Sequence, residues 1–260
     1  MRNISKNRET LLFILLAGIF ITNALMAEFI GVKIFSLEAS LGLKPLDISI
    51  LGLEHLSFNL TSGVLLWPVV FIMTDIVNEY YGSKGVKLLS YLTSGLIVYS
   101  FLVVSLAILL VPADFWPHSH LSKNPDSGVQ DLNIAYKLIF GQGLWIIVGS
   151  LVAFIVGQII DVFVFHKIKE NTGENRIWLR STGSTIVSQF VDSYVVLFIA
   201  FYIGSGWPMK TVLAIGTINY IYKFTISILI TPVIYWVHEL IEKYLGKDLA
   251  ETMKKDAMFS

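Results

Sequence analysis

The stretch Thr74-Asp75-Ile76-Val77-Asn78-Glu79-Tyr80-Tyr81-Gly82 closes a run, G-V-L-L-W-P-V-V-F-I-M-T from Gly63, that offers hardly a polar side chain. Two carboxylates and a carboxamide in that place have two readings. Either a membrane-spanning segment comes out into water there, or the acids have a role inside. The positions of the other charges decide between them.

The chain has 260 residues, 55% hydrophobic and 15% charged, with a mean hydropathy of +0.70. A soluble domain carries about 25% charged residues. The apolar residues gather in blocks of about 18 or more, the length that crosses a hydrocarbon core of roughly 30 Å. The expectation is an all-α, polytopic membrane protein forming one domain over residues 1–260. Net charge is zero and no basic stripe occurs, which argues against a nucleic-acid partner. The absence of cysteine excludes disulfides and thiolate metal sites. Arg2, Lys6 and Arg8 precede the first apolar run as in a signal peptide. The run is too long for that, and Leu25-Met26-Ala27 lacks a small residue at −3, so a retained first helix is expected.

Six spans are expected, at about 10–34, 61–81, 86–111, 143–168, 181–204 and 211–239, with long connections at 35–60 and 112–142. With both termini cytoplasmic, thirteen of the 19 Lys and Arg fall on the inner side and five on the outer, and Lys223 lies within a span. The inner set includes Lys167, Lys169, Arg176 and Arg180. The predicted architecture is therefore a six-transmembrane-helix bundle with both ends inside.

The fourth span reads V-G-Q-I-I-D-V-F-V-F from Val156 and the fifth V-S-Q-F-V-D-S-Y-V-V from Val187. Each sets Gln and Asp three apart on one helix face. Counted back from the basic loop 169–180, Asp161 and Gln189 lie about 12 Å deep, and Gln158 and Asp192 about 4–5 Å deeper. Each Asp should then face the Gln of the other helix. Asp75 lies at a similar depth, Asn78 and Glu79 are shallower, and Asn23 and Lys223 contribute from the first and last spans. An ionisable group at a helix centre costs about 2.5–3.5 kcal/mol, so such groups face a cavity or pair with one another. Structural glue, with Lys223 neutralising an Asp, is the plain alternative.

Other signals are weaker. His118-Ser119-His120 has no third ligand nearby for a metal, and Asn124-Pro125-Asp126-Ser127-Gly128 reads as a turn. His55, His166 and His238 read as boundary residues, and Tyr80, Tyr81, Trp116, Trp145, Trp178 and Trp207 as interfacial anchors. Asn3-Ile4-Ser5 and Asn59-Leu60-Thr61 match the glycosylation pattern by chance. Trp67-Pro68 kinks or breaks the second span.

Four segments together resemble the queuosine precursor transporter family, also called the vitamin uptake transporter family, of small bacterial inner-membrane proteins. They are W-P-V-V-F-I-M-T-D-I-V-N-E-Y-Y-G-S-K from Trp67, V-G-Q-I-I-D-V-F-V-F-H-K-I-K from Val156, W-L-R-S-T-G-S-T-I-V-S-Q-F-V-D-S from Trp178 and Y-K-F-T-I-S-I-L-I-T-P-V-I-Y from Tyr222. The resemblance implies a multi-pass secondary transporter, not an enzyme. It would import the 7-deazaguanines preQ0 and preQ1 across the cytoplasmic membrane for tRNA queuosine modification, with no cofactor. The implied substrate-binding set is Asp75, Asp161 or Asp192 as carboxylate acceptors with Gln158 or Gln189. Asn23, Asn78, Glu79, Arg180, Ser188 and Lys223 stand around them, and Phe71, Phe163, Phe190 or Tyr222 would stack on the ring. The competing readings are a substrate-binding subunit served by a separate ATPase, and an intramembrane enzyme using Asp161 and Asp192 as an acid pair. A homo-oligomer is compatible with all of them.

Overall fold

The computed structural model describes residues 7–258 except 122, 124, 125, 127, 142 and 173–176. Arg2, Lys6, Asn3-Ile4-Ser5, Asn124-Pro125, Ser127 and Arg176, all used above, lie outside the described residues.

Helix α1, Arg8–Ile30, opens at Asn7, whose side chain accepts the Thr10 amide and satisfies one of the donors a helix start leaves over. The connection after it is not bare coil. Strand β1 (Ile34–Ser36) pairs antiparallel with β4 (Asn59–Thr61), and β2 (Ile48–Ile50) with β3 (Leu53–Leu56); the short α2 (Leu37–Ser40) follows β1. The fold is thus mostly helical rather than purely so, because this segment pairs its backbone groups in two small ribbons.

A 3₁₀ turn, Ser62–Leu65, leads into α3, Trp67–Leu109. Pro68 lies in the first turn, where its missing N–H has no acceptor to serve, so it begins the helix instead of kinking it. These 43 residues are two limbs. Gly82 has φ 69° and ψ −172°, a backbone region open essentially to glycine alone. The hydroxyls of Thr74 and Ser90 both reach Gln158 Oε1, at 3.3 and 3.4 Å. A straight helix would hold them about 24 Å apart. The chain therefore reverses at Gly82, and the limbs 67–81 and 83–109 run side by side.

Helix α4 (Leu132–Phe140) lies in the second long connection, where His118 Nδ1 and His120 Nε2 meet the carbonyls of Gln130 and Val129. Helices α5 (Leu144–Thr172) and α6 (Ile177–Leu197, continued as a π-helix over Phe198–Ile203) form a long antiparallel pair. The expected last span is two helices, α7 (Met209–Leu229) and α8 (Thr231–Leu245). Pro232 causes the break, since it has no amide to donate and its ring crowds the carbonyl of Ile228. Finally α9 (Lys247–Met258) folds back onto α3 and buries Ala250, Met253 and Ala257.

Five helical stretches among the described residues are long and apolar enough to cross a membrane: Arg8–Ile30, Trp67–Leu109, Leu132–Thr172, Trp178–Ile203 and Met209–Leu229. The outside is greasy, with Leu88, Tyr91, Leu102 and Leu106 each at least 60% exposed. The inside holds Glu79, Asp161 and Arg180, each 1% exposed or less. That is the reverse of a water-soluble fold and suits lipid, where polar groups must be satisfied internally. The protein is a polytopic helical membrane protein.

Two boundary assignments change. Tyr80 and His238 are buried, not interfacial, and the Tyr80 hydroxyl meets His238 Nδ1 at 3.1 Å. Lys254 of α9 lies 5.5 Å from the Tyr80 ring and donates to Glu242 at 2.5 Å. Trp145 and Trp178 are about half exposed, as an interfacial anchor requires.

The reversal is open to test because the chain has no cysteine. The double change Thr74→Cys, Ser90→Cys should cross-link with a short bifunctional reagent, whereas a straight α3 would not react. Gly82→Ala should lower stability by about 1–3 kcal/mol, read as an earlier thermal transition in detergent.

Candidate functional site

The buried polar groups form three tiers along the first limb of α3. Phe71, Asp75, Asn78 and Glu79 fall at four-, three- and one-residue steps, on one face of that limb. The stripe Gln158-Asp161-Phe165-Lys169 on α5 and the stripe Ser181-Ser184-Ser188-Asp192 on α6 follow the same helical spacing.

The tier nearest Gly82 is charged. Glu79 Oε1 accepts from Arg180 Nη2 at 2.6 Å, and Oε2 from Lys169 Nζ at 3.2 Å. All three side chains are nearly sealed from solvent. Arg180 also lies 5.9 Å from the Phe165 ring centroid. Beside them His166 Nε2 meets Asn78 Oδ1 at 2.9 Å.

The middle tier is bonded by hydroxyls. Ser181 Oγ donates to Asp75 Oδ2, and Ser188 Oγ donates to Asp161 Oδ1 at 3.1 Å. Gln158 accepts from Thr74 and Ser90. The charges of Asp161, Glu79 and Arg180 all act on Asp75. Asp75 Oδ1, Asp161 Oδ2 and Asn78 Nδ2 are buried without a hydrogen-bond partner. Orphaned buried polar atoms are uncommon in folded proteins and call for an explanation.

The third tier borders a narrow pocket where the 3₁₀ turn and the start of α3 meet α6 and α7. Trp67, Phe71, Gln189, Tyr222, Lys223 and Ser227 line it. Its free volume, about 10 Å³, is close to that of one water site. Gln189 Oε1 is also buried and unpartnered. Lys223 Nζ donates to Asp192 Oδ2, and Ser150 Oγ donates to Glu28 Oε1 nearby.

The placement differs from the sequence expectation in several ways. The depth levels of α5 and α6 agree, with Asp161 beside Ser188 and Gly157 beside Asp192. The Gln–Asp pairing does not form, because Gln158 turns to the two limbs of α3 and Asp192 turns to Lys223. Asp161 and Asp192 thus have separate partners, which leaves the acid-pair enzyme without its geometry. Asn23 donates to the Ile19 carbonyl of its own helix at 2.8 Å and joins no tier. Phe163 and Phe190 are 69% and 50% exposed and turn outward, whereas Phe71 and Tyr222 line the pocket. Lys169 and Arg180 are not solvated loop charges, since each is held by Glu79.

Sequence reasoning missed Lys169 as a buried partner, and with it Thr74, Ser90, Ser181, Ser150 and Glu28. The signal for Lys169 was available, since it continues the Gln158-Asp161-Phe165 stripe by one turn. For the hydroxyl residues no such signal existed. A serine or threonine in a helix usually bonds its own carbonyl four residues back, as Thr93 does to Leu89.

A family model described as "Putative vitamin uptake transporter" matches residues 61–237. A "Probable queuosine precursor transporter" of Bacillus subtilis (strain 168) is 30% identical over 189 residues, 72% of this chain and 76% of the relative. A protein of the same description from Haemophilus influenzae is 25% identical over 194 residues, 74% of each chain. The "Queuosine precursor transporter" of Escherichia coli (strain K12) is 26% identical over 196 residues, 75% of this chain and 77% of the relative. No solved structure matches the chain.

Glu79→Gln removes the one carboxylate that holds two buried cations. Breaking a buried pair in this way costs about 3–5 kcal/mol. The purified variant should therefore unfold at a clearly lower temperature in detergent, and Lys167→Gln, at an exposed pair, should not.

Proposed function

The chain belongs to the vitamin uptake transporter family, and we propose that it carries queuosine precursors, the 7-deazaguanines preQ0 and preQ1, across the bacterial cytoplasmic membrane. The imported base supplies tRNA modification. The printed names of its relatives support this reading, and so does the chemistry of the buried tiers. As a transporter the chain is not an enzyme, and the tiers act by binding.

One observation carries the assignment to a purine-like base. Aromatic side chains meet a buried, unpartnered carboxamide oxygen in the pocket, and carboxylates with unpartnered oxygens follow along the same helix faces. A guanine-type edge presents N1–H and an exocyclic NH2 side by side, two donors that one carboxylate accepts together. Asp75 and Asp161 are the carboxylates with an acceptor to spare. The pyrrole N–H suits Gln189 Oε1, and O6 suits an amide or ammonium donor, from Gln189 or Lys223. Trp67, Phe71 and Tyr222 offer faces for the ring. Gln158, Asn78 and Ser188 complete the middle tier, while Glu79 and Arg180 shut it off toward Gly82.

Ligand pockets ordinarily measure about 300–1,000 Å³. The pocket here is far narrower, so this conformation is the closed one of the proposed cycle. Binding requires the first limb of α3 to separate from α6 and α7. Alternating access of this kind needs no ATP-binding partner.

Counting the two limbs of α3 separately gives six crossings, and an even number returns both termini to one side. Without Lys169 and Arg180, eleven basic residues still favour the inner side against five outside. That bias supports cytoplasmic termini.

The test is uptake of labelled preQ0 and preQ1 by cells that lack other routes. Asp75→Asn, Asp161→Asn and Gln189→Leu should each lower uptake. A hydrogen bond to a charged group is worth about 1.5–3 kcal/mol, which is about 10-fold or more. Phe163→Ala, on the lipid side, should leave uptake unchanged. Full uptake in all three site variants would overturn the assignment.

A further inference from the structure

We propose that this pocket selects neutral deazapurines bearing a hydrogen-bond acceptor over cationic ones, and that Lys223 makes the choice. The inference rests on the function proposed above and adds the charge class of the ligand.

The geometry of the Asp192–Lys223 pair carries it. Lys223, from α7, lines the pocket, and Asp192, from α6, is not among the lining residues. The carboxylate is set back against α5, where a Cβ built on Gly157 would lie 3.8 Å from Asp192 Cβ. An entering molecule therefore meets the cation of the pair first. The other polar lining groups, Gln189 and Ser227, are neutral, and the remaining lining residues are apolar or aromatic. No lining carboxylate stands ready to receive a positive charge. In a site so poor in water, like charges repel far more strongly than in bulk solvent.

An ammonium has three donors and no acceptor. Lys223 gives one donor to Asp192, and the others suit an acceptor such as a carbonyl or nitrile. An aminomethyl substituent is an alkylamine and is protonated at neutral pH, as a lysine side chain is. To bind, it would have to displace Lys223 from Asp192 and leave one of two buried cations unmatched. A nitrile in the same place carries no charge and accepts from Nζ–H. Discrimination thus comes from a repulsive element as much as from an attractive one.

The experiment compares initial uptake rates of labelled 7-cyano-7-deazaguanine and 7-aminomethyl-7-deazaguanine in cells without other uptake, expressed as a ratio for each protein. A ratio is independent of how much folded carrier reaches the membrane. The native chain should favour the nitrile by about 10-fold or more, corresponding to about 1.4 kcal/mol. Lys223→Gln uncovers Asp192 and should bring the ratio to unity or invert it. Asp192→Asn leaves the cation unmatched and should keep or raise the ratio, and Lys223→Arg should keep it. A native ratio at or below unity, or an unchanged ratio in a transporting Lys223→Gln variant, overturns the proposal while the carrier function stands. Should Lys223→Gln not fold, the native ratio and the Asp192→Asn ratio decide alone. If the native chain carries neither base, the carrier function fails and this selectivity falls with it.

Discussion

One carboxylate, Glu79, holds two cations that arrive from different helices. Lys169 comes from the end of α5 and Arg180 from the start of α6, and both would be costly inside a membrane without that partner. The interaction joins the first limb of α3 to the α5–α6 pair at the end where the chain reverses. Next to it α9 closes over Tyr80 and His238 through Lys254. The polar residues of this end are therefore saturated by one another, and the bundle is tied there by charge as well as by packing.

Moving away from Gly82, satisfaction declines in steps. Glu79 has two charged partners, Asp75 and Asp161 each have a serine hydroxyl, and Gln189 has an orphaned oxygen at the pocket. Hydroxyls are weaker partners than guanidinium or ammonium groups, because charge-assisted hydrogen bonds are about twice as strong as neutral ones. The gradient gives one firm end and one end with hydrogen-bonding capacity to spare. A carrier of a polar, flat base needs both, a closed end to shut behind the ligand and an adaptable one to receive it.

Several features were legible in the sequence because they depend on local spacing. The apolar blocks declared the membrane, and the Gln-x-x-Asp repeats placed α5 and α6 at matching depths. The stretch around Asp75 proved to belong to a buried polar layer. The short loop near Lys84 correctly anticipated a reversal, and Gly82 is where it happens. Partner choice was less legible. Gln158 was expected opposite Asp192, yet it bonds Thr74 and Ser90, which come together only because the two limbs of α3 lie side by side. Lys169 and Arg180 were counted as loop charges, since a basic residue near a helix end reads the same whether water or a carboxylate receives it.

The sequence by itself determined that this chain lives in lipid, roughly where it crosses, and which side chains are too polar to face hydrocarbon. Those properties follow from the length of an apolar run and the 3.6-residue period, both local quantities. Only the tertiary structure decided which acid meets which cation, which aromatics turn inward, and that Lys223 rather than Asp192 borders the pocket. Such pairings depend on the angle and rotation of helices distant in sequence, and a charge buried in lipid goes to whichever partner that packing brings within reach.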